Sequence, residues 1–98
     1  MIVAVGFKKR DHNLIKNYLN NDIIFYEIEE FIKTPPEKIK ILLIFPGEKE
    51  KKNFEEIKKI TSKTTQLIIN TPYLERAVWF LEKGAHQFGG LNKIKKLL

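Results

Sequence analysis

IKILLIF, residues 39–45, is the stretch on which the fold turns. From position 41 to 45 it is apolar without interruption, the pattern of a strand covered on both faces rather than one with a wet side. Strands of that kind belong to parallel sheets, whose crossover connections lay helices against both faces. The chain around it supplies the other parts. Upstream lie two short apolar runs, IVAVG at 2–6 and IIFYEI at 23–28; downstream lie QLIIN at 66–70 and AHQF at 85–88. Amphipathic stretches separate them, as in a succession of βαβ units.

The separating stretches read as helices of unequal length. Asp11 is positioned to cap a first helix in which Leu14, Ile15, Tyr18 and Leu19 recur at helical spacing, and Asn20-Asn21-Asp22 ends it. After the second strand, residues 29–33 allow only a short helix before Thr34-Pro35-Pro36 stops it. A third helix follows Gly47, with Phe54, Ile57 and Ile60 as its apolar stripe and a Lys/Glu-rich solvated remainder. Pro72 opens a fourth and Gly84 closes it; at about 100° per residue, Leu74, Ala77, Val78 and Leu81 form its core stripe while Trp79 faces away between Arg76 and Lys83. Tyr73 and Phe80 fall at the edge of that stripe. LNKIKKLL at 91–98 makes a short last helix with Leu91, Ile94 and Leu97 or Leu98 inward.

Composition narrows the classes. With 98 residues, 43% of them apolar, the chain makes one folded domain, residues 1–98. It has no Cys, which excludes disulfides, thiolate nucleophiles and zinc–thiolate sites. The two His residues, His12 and His86, make no metal site alone, and no cofactor is implied. No apolar run reaches the ~20 residues of a membrane span, and the start of the chain lacks the charge order of a signal peptide, so the expected location is the cytoplasm. Net charge is +6, but Arg10 and Arg76 are the only arginines. A lysine excess without arginine is a weak nucleic-acid signal, so nucleic acid is not expected except through a separate output domain. Nothing pairs a nucleophile with a base, and Glu29-Glu30 and Glu55-Glu56 are adjacent pairs that splay across a helix instead of converging, so no enzyme is expected.

QLIINTPYLERAVWFLEKGAHQFG, residues 66–89, resembles the end of a bacterial response-regulator receiver domain. In that family the fourth strand ends in Ser or Thr, and a helix leads through Leu-x-x-Gly-Ala to a fifth strand. Thr71 falls at the place of the hydroxyl residue that binds the phosphoryl group, and Leu81, Gly84, Ala85 and Phe88 fall on the pattern around the last strand. The resemblance implies a CheY-like, flavodoxin-like three-layer α/β sandwich: a five-stranded parallel sheet in order 2-1-3-4-5, helices on both faces, and here a shortened second and last helix. A receiver's last helix is longer, so the chain is expected to end early or to be a piece of a longer protein.

The family's phosphorylation chemistry is not carried over. A receiver takes phosphate on an Asp at the end of its third strand, where this chain has Leu43, Ile44 or Phe45. The acidic pair that holds Mg²⁺ would fall near Gly6 and Phe7, and the conserved-site Lys near Leu91 and Asn92. Loss of acceptor, metal ligands and cation together removes the reaction. Hydrocarbon and cations are expected at that rim.

The function so implied is a phosphorylation-independent pseudo-receiver, a protein–protein interaction module in two-component signalling or transcriptional regulation. Its expected contact surface is the face made by the fourth helix, fifth strand and last helix, through Arg76, Trp79, Lys83, His86 and Gln87, toward a protein partner or a second copy. The alternative is a small anion- or nucleotide-binding domain that uses the basic loop Lys8, Lys9 and Arg10 after the first strand.

Overall fold

The computed structural model describes every residue, Met1–Leu98. In chain order the elements are β1 (Ile2–Val5), α1 (His12–Leu19), β2 (Ile23–Tyr26), α2 (Ile28–Lys33), β3 (Ile41–Ile44), α3 (Glu48–Lys52), α4 (Phe54–Ile60), β4 (Gln66–Asn70), α5 (Leu74–Glu82), β5 (Gln87–Gly89) and α6 (Leu91–Leu97), with a 3₁₀ turn at Lys9–Asp11 before α1. All five strands are parallel and lie in the order β2-β1-β3-β4-β5. This is the CheY-like, flavodoxin-like arrangement.

β3 pairs with β1 on one side and β4 on the other, and all four of its residues are buried, which is why its sequence shows no polar alternation. The pleat sends alternate side chains to opposite layers. Val3, Val5, Leu42, Ile44, Leu67 and Ile69 meet Ile28 and Phe31 of α2, Phe54 and Ile57 of α4, and Ala77 and Phe80 of α5. Ala4, Ile23, Ile41, Leu43 and Ile68 meet Ile15 and Leu19 of α1 and Ile94 of α6. The short helices are α2, of six residues, and α6, of seven.

Several local expectations are corrected. β2 stops at Tyr26, and Ile28 is buried as the first residue of α2 rather than as the end of a strand. β3 begins at Ile41 and β5 at Gln87, each two residues later than the apolar run suggests. The third helix is two: the chain breaks at Asn53, whose side-chain Nδ2 donates to the Lys49 carbonyl at 2.8 Å, a local bond that competes with helix continuation. Asp11 makes no capping bond to α1; Arg10 approaches it at 3.9 Å instead. Leu14 and Tyr18 are exposed, leaving Ile15 and Leu19 to bury the helix. At the last helix Leu97 is exposed while Leu98 packs inward.

The largest correction is the rotation of α5. Its core residues are Ala77 and Phe80, while Leu74 and Val78 are 54% and 41% exposed. Trp79, expected to face away, is half-buried against the core, with Phe54 5.9 Å and Phe80 5.2 Å from its ring. Phe80 stands edge-on to Phe54 at 5.3 Å. Aromatic side chains bury roughly 150–250 Å² each. Covering one Phe fully and one Trp in part removes more apolar surface from water than covering Leu74 and Val78 would, so the helix turns toward α4.

Candidate functional site: the carboxyl end of the sheet

In an open α/β sheet the ligand crevice lies beyond the carboxyl ends of the strands, where strand order reverses, here between β1 and β3. β1 leaves through Gly6, whose φ of +86° suits a residue without Cβ. Its N–H donates to the Tyr26 carbonyl at 3.3 Å. Phe7 follows and packs edge-on against Phe45, just past β3, at 5.7 Å, and against Phe25 at 6.3 Å. His12 stacks on Phe25 at 4.1 Å, and its Nε2 lies 3.0 Å from the Phe7 carbonyl. A shell of rings thus closes the exit of β1.

One carboxylate enters this shell from α3. Glu50 is 3% exposed. A Cβ on Gly6 would lie 2.6 Å from its Oε2, and one on Gly47 would lie 2.5 Å from its Oε1, so both glycines leave the room that the carboxylate fills. Glu50 is the third residue of α3, and its carboxylate turns back toward the N–H groups of Gly47 and of Glu50 itself, one half of a capping box. Burial outweighs that support and pushes its pKa above the usual carboxylate range. On the outside, Lys49 Nζ donates to Glu29 Oε1 at 3.0 Å; that bond holds Glu29 low and Lys49 high. What remains open between β1 and β3 is a cavity of about 190 Å³ lined by Gly6, Phe7, Glu27, Glu29, Lys49 and Glu50 among others; farther along the same end, past β4 and β5, a cleft of about 660 Å³ lies between Asn70, Pro72, Phe88 and the start of α6.

The expectation of hydrocarbon and cations at this rim is therefore half corrected. Phe7 and Phe45 are the hydrocarbon, but the ionisable group held between β1 and β3 is the carboxyl of Glu50, not a cation. The signal for it was Gly47-x-x-Glu50 at a helix start, hidden in a run of Lys and Glu. Lys8, Lys9 and Arg10 are exposed on the 3₁₀ turn and do not line the cavity. Leu43 and Ile44 are buried inside the sheet, and Phe45 stands at its exit. No three His, Asp or Glu side chains gather in a way that could hold a metal ion. Thr71 is buried beyond β4, where its Oγ1 accepts the Tyr73 N–H at 3.2 Å and steers the chain into α5.

The residues expected on the contact face divide into two groups. Trp79 looks toward α3 and α4, with Lys51 and Lys83 each 5.9 Å from its ring centroid. Arg76 lies over Tyr73 at 5.7 Å. His86 ties the two last strands together: its N–H donates to the Leu67 carbonyl and its Nδ1 accepts the Leu67 N–H, both at 3.0 Å. Gln87, half-buried, pairs with Ile68 at the start of β5. Because Trp79 marks the flank of α5 toward α4, the opposite flank looks over the β5 edge of the sheet. That flank carries Leu74 and Val78, with Tyr73, 55% exposed, at its head. The sequence reading assigned Leu74 and Val78 to the core and so missed them as surface.

No family model, curated protein or solved structure matches the chain. No helix is long and apolar enough to cross a membrane.

Proposed function

We propose that this chain is a receiver-like module that acts by protein contact, without phosphorylation, in signal transduction or transcriptional control. The observation that carries the reading is the uncovered apolar flank of α5, formed by Tyr73, Leu74 and Val78 beside the edge strand β5. Helices in this fold bury one stripe against the sheet and keep the rest polar. A second apolar stripe at i and i+4, next to an open strand edge, is the pattern of a surface that another chain covers. The state of the carboxyl end supports the other half of the proposal: Phe45 stands where β3 exits, and rings occupy the place of a metal-bound phosphoacceptor. No catalytic step is part of it.

The partner is a second copy or another protein, met through α5, β5 and α6. The anion reading of Lys8, Lys9 and Arg10 rests on their charge alone. Sedimentation over a range of concentrations tests the contact: the average mass rises in the wild type and stays monomeric in Leu74→Glu/Val78→Glu, whose circular dichroism is unchanged. Indistinguishable monomers sink the self-contact form. Incubation with acetyl phosphate and Mg²⁺ leaves the intact mass unchanged; a stable added phosphoryl group ends the reading altogether.

A further inference from the structure

The opposite end of the sheet is open. Residues 35–40 lead from α2 into β3, residues 61–65 lead from α4 into β4, and between these two loops lies a cleft of about 740 Å³. That volume falls in the range of small-molecule sites, roughly 300–1,000 Å³. We infer that this cleft binds a small phosphate ester, its anionic group held by Lys38, Lys40 and Ser62 and its apolar part resting on Pro35, Pro36 and Ile60.

Three independent features converge there. The first is charge. Lys38 and Lys40 both line this one cleft, and neither is in an ion pair that would offset its charge there. Glu37 is the single acidic residue of the lining and is paired to neither lysine. A phosphate monoester carries about −1.5 to −2 at neutral pH and suits two point-charge ammoniums.

The second is the supply of donors. Thr65, 1% exposed, commits its hydroxyl to the Ile39 carbonyl at 2.6 Å and so fastens one loop to the other. Ser62 Oγ and Thr64 Oγ1 are 2.8 Å apart, and Ser62 Oγ also accepts the Thr64 N–H at 3.2 Å. Because the Thr65 proton goes to Ile39, Ser62 donates to Thr65 Oγ1 at 3.3 Å and Thr64 donates to Ser62; the 3.3 Å bond is the weakest of the set, and a phosphate oxygen replaces Thr65 as the acceptor for Ser62.

The third is backbone conformation. Lys38 has a φ of +57°, a left-handed conformation that glycine adopts freely and side-chain-bearing residues rarely do. The other non-glycine residue with positive φ, Asn20, ends α1 in the ordinary way for a helix terminus. Lys38 ends no helix. Strain of this kind, held at a lining residue of a cleft, points to a use for the side chain it carries. Pro35 and Pro36 stiffen the same loop, and Ile39 and Ile60 give the cleft an apolar floor.

The test is an amide-resolved NMR titration of the whole chain with phenyl phosphate, inorganic phosphate and benzyl alcohol. Phenyl phosphate shifts the amides of residues 38–40 and 62–65 and saturates at lower concentration than inorganic phosphate, which separates an ester from the free ion; benzyl alcohol leaves them in place. Lys40→Ala and Ser62→Ala each weaken phenyl phosphate about tenfold, the scale of one charge-assisted hydrogen bond. Lys38→Gly relaxes the backbone, so it melts no lower than wild type yet binds more weakly. Absence of a saturating shift overturns the inference. So do shifts confined to residues 8–10, or affinities that none of the three substitutions changes.

Discussion

The crevice between β1 and β3 is filled, while the amino end of the sheet keeps an open cleft. At the carboxyl end, where α/β folds ordinarily receive ligands, Phe7 and Phe45 pack on each other and Glu50 fills the space left by Gly6 and Gly47. At the amino end, normally a plain set of turns, two loops joined by the Thr65–Ile39 bond border a cleft lined by Lys38, Lys40 and a chain of hydroxyls. A fold fixes where strands end; it does not fix which end keeps room for a guest. That depends on how the side chains at each place pack, and here those between β1 and β3 fill the crevice while those around residues 35–40 and 61–65 leave room.

The heaviest blow to this contrast is Gly6→Ala. The new Cβ meets two penalties at once: a φ of +86°, and the Glu50 carboxylate 2.6 Å away. Left-handed strain together with overpacking costs about 3 kcal/mol, or roughly 12–24 °C in the melting midpoint of a domain this size. Chemical denaturation reads the loss. Adding Glu50→Ala relieves the clash and recovers part of it, while the φ penalty stays. If Gly6→Ala were neutral, the carboxyl end would not be closed in the way the packing describes.

A smaller effect is expected at the other end. Thr65→Val removes the hydroxyl that donates to the buried Ile39 carbonyl and leaves that oxygen without its partner, at a cost of about 1–2 kcal/mol. The same change frees one wall of the cleft from the other, so phenyl phosphate binding falls together with stability. A loss of stability with unchanged ligand shifts would mean that the loops are held by something besides this bond.

How far these ends could be read beforehand depends on what each is made of. β3 was legible because a strand covered on both faces has no polar residue to interrupt it, and the order of strands was legible through the pattern from Thr71 to Phe88. The rotation of α5 was not: Leu74, Ala77, Val78, Trp79, Phe80 and Leu81 are apolar nearly all round the helix, so periodicity admits more than one buried face. Phe54 on a different helix decides among them. Glu50 was concealed for a related reason, since five consecutive charged residues, Glu48–Lys52, look alike until the turn at Gly47 folds one of them inward. The amino-end cleft is farther from the sequence still. It joins two loops more than twenty residues apart, and neither is unusual alone.

Glu50 supplies the finest probe of the closed end, because it gives that end a pH signature. Its folded pKa is raised above the ordinary 4.5, chiefly by burial. Below 4.5 the acid is neutral in both the folded and unfolded chains and burial of charge costs nothing. Between 4.5 and the raised folded value the folded chain binds a proton that the unfolded chain does not, so stability increases as pH falls through this window and declines as pH rises through it. Above the raised folded value the wild type carries the full cost of a buried charge. Glu50→Gln keeps the shape and an oxygen for the Gly47 N–H but never ionises, so its melting point rises relative to wild type as pH climbs above 4.5, and the two curves converge toward pH 4.5. Curves that run parallel across that range would place the Glu50 carboxylate in water, and the crevice between β1 and β3 would then be open.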